Sequence, residues 1–217
     1  MRKLFNAIRK DDFETVKQLL EKKPELIACT AKQPPKKDDG QSPLQAALKT
    51  GRFNIVEYLL DLGADINFME DDTCCNEWRA PVIHDAINAA VMSSRWNVNS
   101  EIYGGLKVKN LKEEADRAFK ILKRIVDLGA DVNAKDSYGN SCLCRACLQA
   151  RQILPRYNHV EEKLCKDRIL TEELIFDLSR IFNLLLDNGA DINYAAPNFG
   201  KTLKEMYKNE PIEQFLK

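Results

Sequence analysis

Residues 59–67 read LLDLGADIN, residues 125–133 read IVDLGADVN, and residues 185–193 read LLDNGADIN. A phrase used three times marks a repeated supersecondary unit. Such units bury their apolar faces mainly against one another, which gives an elongated stack. The phrase begins on the apolar end of a helix. Gly63, Gly129 and Gly189 then stand where a helix commonly ends on a residue at positive φ. Asp65, Asp131 and Asp191 suit the polar turn that follows, and Ile66, Val132 and Ile192 pin the exiting segment.

Residues 37–69 contain one whole unit. Gly40 opens a turn, Ser42 is placed as an N-cap, and Pro43 takes the first helical position. Ala46 and Ala47 are small enough for close helix approach, and Gly51 breaks the helix. Ile55, Val56, Leu59 and Leu60 form the buried stripe of a second helix. This 33-residue unit, with Ser42-Pro43-Leu44-Gln45 in place of Thr-Pro-Leu-His, resembles the ankyrin repeat.

The resemblance implies an all-α ankyrin-repeat solenoid of about five stacked helix-turn-helix repeats. It implies a single domain over residues 1–217, with repeats near 1–36, 37–69, 70–134, 135–194 and 195–217. The outer repeats, at 4–20 and 200–216, are degenerate, as expected where a stack meets water. The first helices of repeats three and four fall at 80–90 and 139–148. His84 takes the motif histidine position, with Pro81 where the partner threonine would stand.

The departures from the repeat carry more functional information. The three glycines stand 66 and 60 positions apart, so repeats three and four are long. Segments 30–37 and 70–80 enlarge two of the turns that form fingers in ankyrin proteins. Long insertions at 91–110 and 151–171 separate the two helices of repeats three and four. In the ankyrin layout both lie at the end opposite the fingers, side by side. Asn110 and Glu113 read as a capping box, Thr171 as the start of the following second helix, and 160–169 as one extra short helix. The insertions are too apolar for linkers and are expected to pack.

The chain has 33 basic and 33 acidic residues, which argues against a dedicated nucleic-acid binder. No apolar run reaches spanning length, and residues 1–13 have no secretory apolar region. The 7 cysteines are odd in number and unevenly spaced, fitting reduced thiols. A cytoplasmic monomer with no cofactor, no membrane and no nucleic acid is expected. Cys142, Cys144 and Cys147 lack ordinary zinc spacing and fall on packing positions, so no metal site is assigned. No Cys–His signature or phosphate-binding glycine loop points to an enzyme.

A non-catalytic scaffold for a macromolecular partner, most simply a protein, follows. Repeat position places Asp38, Asp39, Gln41, Lys49 and Thr50 on its concave and finger surface. It adds Trp78, Arg79, Asn88, Ser137, Tyr138, Asn140, Gln149 and Phe199. Trp78 stands among Asp71, Asp72 and Glu77 with no packing reason visible in sequence, so it and Tyr138 are the expected anchors. A competing edge is built from the insertions, with Trp96, Tyr103, Tyr157 and His159. Two further readings remain. One is a toxin-neutralising or host-directed ankyrin protein that inhibits an enzyme. The other is a metal- or thiol-dependent activity at Cys142, Cys144 and Cys147.

Overall fold

The three copies of the phrase are tied to one another by their own side chains. In each copy the aspartate accepts a hydrogen bond from the backbone N–H two residues on: Asn67 to Asp65, Asn133 to Asp131 and Asn193 to Asp191, at 2.8–2.9 Å. Each asparagine then reaches the next copy. Asn67 Oδ1 accepts from Asp131 N at 3.1 Å, and Asn133 Oδ1 accepts from Asp191 N at 2.8 Å. Asn133 Nδ2 also donates to Gly189 O at 2.9 Å. The glycines close the helices before them. Gly63, Gly129 and Gly189 have φ of +78°, +96° and +88°. The N–H groups of Ala64, Ala130 and Ala190 bond back to Leu59, Ile125 and Leu185, which is the Schellman pattern.

The computed structural model describes residues 1–33, 35–100, 104–158, 160–195, 197 and 200–217. Helices come in pairs: α1 (Arg2–Lys10) with α2 (Phe13–Lys22), α3 (Pro43–Lys49) with α4 (Phe53–Asp61), α5 (Val82–Met92) with α6 (Lys112–Asp127), and α7 (Cys142–Ala150) with α8 (Glu172–Asp187). A short α9 (Leu203–Met206) and a 3₁₀ turn at Glu213–Phe215 follow. First helices pack in the order α1, α3, α5, α7, and second helices form the layer α2, α4, α6, α8. One apolar core runs between the layers, from Leu4 and Ile8 through Leu59, Ile87 and Ile125 to Phe182 and Leu216.

Helix starts follow the sequence closely at some points. Ser42 caps α3 and Gln45 reaches back to Ser42 N, completing a capping box. Thr171 caps α8 through Leu174 N. At α6 the reading was displaced by one residue. Glu114, not Glu113, accepts from Leu111 N, and Asn110 is turned back to donate from Nδ2 to Met92 O and Ser94 O.

The chain is less helical than expected. Between α5 and α6 lies an antiparallel hairpin, β1 (Asn97–Ser100) with β2 (Gly105–Val108), entered through Gly104 and Gly105 at φ +72° and +109°. Between α7 and α8 lies a second, β3 (Tyr157–Asn158) with β4 (Lys163–Leu164). It replaces the short helix expected at 160–169. Asn158 Oδ1 accepts from the N–H groups of Val160 and Glu161, and Glu162 turns to φ +49°, so the chain reverses instead of coiling.

The asparagine ladder sets a measurable expectation. Each unreplaced hydrogen bond is worth about 0.5–1.5 kcal/mol. Asn67→Ala removes one bond to the next copy and Asn133→Ala removes two. Urea unfolding should therefore rank Asn133→Ala as the more destabilising.

Candidate functional site

Cross-repeat bonds place the loops that lead into the first helices. Gln45, at the motif histidine position, donates from Nε2 to Ala80 O at 2.8 Å, and His84 Nε2 meets Ala134 O at 3.1 Å. One side chain on α3 and one on α5 thus hold the next loop, and Pro81 in place of threonine does not prevent it. Burial pulls the His84 pKa down to about 4, so the ring is neutral near pH 7.

The enlarged loops lean on one another. Asp39 Oδ2 accepts from Cys75 N at 2.9 Å, and Asn76 Nδ2 donates to Asp39 O. The contact is close at Gly40 (φ +85°), where an added Cβ would stand 2.6 Å from Cys74 Cβ. Ser137 then ties the next loop through Arg79 N, Arg79 O and Glu77 O.

Trp78 crosses this junction. Its Nε1 donates to Asp136 Oδ2 at 2.9 Å, and its ring lies beneath Lys49 Nζ (5.4 Å) and the Arg145 guanidinium (4.8 Å). The polar setting read in the sequence is therefore its packing environment: a tryptophan half-buried between two cations, with its indole N–H satisfied. Asp136 also accepts from Asn140 and from Arg145 Nη2 at 2.7 Å. Burial alone would raise its pKa, but bonds from Asn140, Trp78 and Arg145 outweigh that and lower it.

Two open clefts flank Lys49 and Trp78. One, of about 430 Å³, is walled by Leu48, Phe53, Asp85, Asn88, Met92 and Gln149. The other, of about 360 Å³, is walled by Asp38, Gln41, Thr50, Glu70, Asn76 and Glu77. Lys49 Nζ stands between two carboxylates, 3.5 Å from Glu70 Oε1 and 3.6 Å from Asp85 Oδ2. Asp85 is 1% exposed, and burial pushes its pKa up to about 7 against the pull of Lys49.

The sequence-derived set divides. Lys49, Thr50, Trp78, Asn88 and Gln149 gather at the two clefts, with Asp38 beside them and paired to Arg9. Asp39, Gln41 and Asn140 are buried, and Asp39 and Asn140 brace the loops. Arg79 and Ser137 join loop to loop, and Tyr138 is 48% exposed on the last of them. Phe199, Tyr103 and His159 lie outside the described residues. Asp85 and Glu70 were missed. Aligning the repeats would have exposed Asp85, since it stands where repeat two has Ala46.

On the opposite edge Trp96 is packed against the core beneath Lys109 and Arg168. Arg95 grips buried Asp177 through Nε at 2.9 Å and Nη2 at 3.0 Å. Asn97 clamps Ile169, accepting from its N–H and donating to its C=O at 2.7 Å each. Tyr157 lies half-buried, with Pro155 and Ile212, around a separate cleft of about 290 Å³. The three central thiols face the core. Burial raises the pKa of Cys142 and Cys147, and takes that of Cys144 to about 11, so none is a thiolate near neutrality.

A family model described as ankyrin repeats in three copies matches residues 3–70. Over that stretch the sequence is that of ankyrin repeats. No curated protein matches it. No helix among the described residues is long and apolar enough to cross a membrane.

Asp85 gives this surface a pH signature. The carboxyl ionises near 4 in the unfolded chain and near 7 in the folded one. Its contribution to stability is complete below pH 4 and is lost as pH rises toward 7. Asp85→Asn is expected to unfold at higher urea than the parent above pH 7, by roughly 1–4 kcal/mol. The gap should close near pH 4.

Proposed function

We propose that this ankyrin-repeat chain is a non-catalytic scaffold that holds a protein partner. The partner lies across α3, α5 and α7 and the loops before them. On this reading the chain is one domain of five repeats, at 1–36, 37–69, 70–134, 135–194 and 195–217, acting as a cytoplasmic monomer. The segments at 91–110 and 151–171 are insertions in it. Ankyrin repeats are generally protein-interaction modules, which is the coarse support.

The observation that carries the reading is the meeting of two clefts at Lys49 and Trp78. Trp78 on the braced 70–80 loop is collected there with Lys49 on α3 and the unpaired acceptors of Asp85 and Asn88 on α5. Anchors of that kind dominate binding energy at protein interfaces.

The opposite edge supplies a second reading. Leu106, Val108, Leu111, Ile169 and Phe176 are all exposed on or beside the hairpins and α8. Single exposed apolar residues are ordinary, but several in one region of a chain mark a surface to test.

Affinity capture from native lysate, followed by titration of the captured protein, separates the two. Tyr138→Ala and Trp78→Phe should each weaken binding by at least about 2 kcal/mol, the cost of a lost anchor. Circular dichroism should remain unchanged in both. Normal binding by both variants, with loss on Leu106→Asp or Phe176→Asp, would move the interface to the hairpin edge.

A further inference from the structure

Repeat alignment puts Ala46, Asp85 and Arg145 at one position on three neighbouring first helices. Ala46 is small, so space is left on one side of Asp85. On the other side Arg145 is turned away. It bonds Asp136 at 2.7 Å and lies over Trp78. Neither carboxylate oxygen of Asp85 has a hydrogen-bond partner among the described residues, although the side chain is 1% exposed. Asn88, three residues further along α5, has its buried Oδ1 in the same condition. Asp85 and Asn88 both line the 430 Å³ cleft, whose other walls include the apolar side chains of Leu48, Phe53, Ala89 and Met92.

Among the described residues that line this cleft, the buried side-chain atoms without a partner are these three acceptors. Lys49 supplies an ion pair but no close hydrogen bond, since it stands 3.6 Å from Asp85 Oδ2 and 3.5 Å from Glu70 Oε1 and divides its charge between them. The surrounding charges leave room for another cation. Among the described residues, Glu70, Asp85 and Asp136 form ion pairs with Lys49 and Arg145 alone. A guanidinium carries five N–H donors in a planar fork and pairs with carboxylates through two parallel bonds. Its three methylenes suit an apolar wall. An ammonium is a compact, strongly hydrated point charge that cannot make the paired contact.

We propose that this cleft takes the guanidinium of an arginine side chain presented by the protein partner, with Asp85 and Asn88 as its acceptors. The proposal rests on the scaffold reading and names the chemistry of its partner. The nearby Lys49 stays with Glu70, and the incoming arginine fills the acceptors that Lys49 leaves open.

The test needs no identified partner. Nα-acetyl-arginine N-methylamide is titrated into the ¹⁵N-labelled full chain above pH 7, where Asp85 is ionised, followed by NMR at the Trp78 indole N–H and the Asn88 amide. Saturable shifts are expected, with a Kd of about 1–10 mM for a ligand of this size. The citrulline counterpart, with the same shape and a neutral urea, should give no saturation. The lysine counterpart should bind at least about fivefold more weakly, for want of the fork. Asp85→Asn should abolish the arginine response while keeping the dispersed spectrum of a folded chain, and Asn88→Ala should weaken it. Equal binding of arginine and citrulline, an undiminished response in Asp85→Asn, or no saturation in the parent overturns the proposal. A captured protein that binds Asp85→Asn normally but not Tyr138→Ala overturns the arginine site and leaves the scaffold standing.

Discussion

The asparagine that ends each copy of the phrase accepts a hydrogen bond from the aspartate N–H of the next. That bond fixes how far apart successive repeats stand. It is short, directional, and made between turns already stiffened by an aspartate's own bond to the chain. Once the turns are spaced, the helices entering them are spaced as well. The first helices then fall into a layer in which equivalent positions are neighbours. A row such as Ala46, Asp85 and Arg145 arises in this way, from residues far apart in sequence. Hydrophobic burial supplies most of the driving force for the stack, but it is not directional. The ladder supplies register.

Register also explains where the molecule tolerates polarity. Asp136 is fully buried yet satisfied, because five groups from two loops and α7 converge on it. Asp85 is as deeply buried and is not satisfied. Burial of an underpaired carboxylate is costly, and such groups are retained where binding rather than folding needs them. These two aspartates, on adjoining parts of one surface, are alike in burial and differ in whether their oxygens are hydrogen-bonded.

The stack was legible because its signals are local. Gly63, Gly129 and Gly189 report a φ that few other residues adopt, and Ser42 with Gln45 reports a cap within three residues. The hairpins were not legible. Asn158 reverses the chain through bonds to Val160 and Glu161, in a segment whose composition suits a helix equally well. Trp78 was read as unpacked because its partners, Lys49, Asp136 and Arg145, stand in three different parts of the sequence. Asp85 was overlooked because its meaning lies in what the neighbouring helix lacks, a side chain longer than alanine at position 46. Single-sequence reading sees what a residue is next to along the chain, and these features depend on neighbours across repeats.

The clasp on the opposite edge has a different consequence. Arg95 and Asn97, from the segment between α5 and α6, are bound to Asp177 on α8 and to Ile169 just before it. Asn99 adds bonds to Lys166 and Asp167. Removing the first segment leaves buried Asp177 with Arg180 alone, and removing the second takes from the buried Asn97 amide its bonds to Ile169. The two segments are therefore one structural unit, although α6 and α7 lie between them in the chain, and a deletion that spares one must leave it without the partners that hold it.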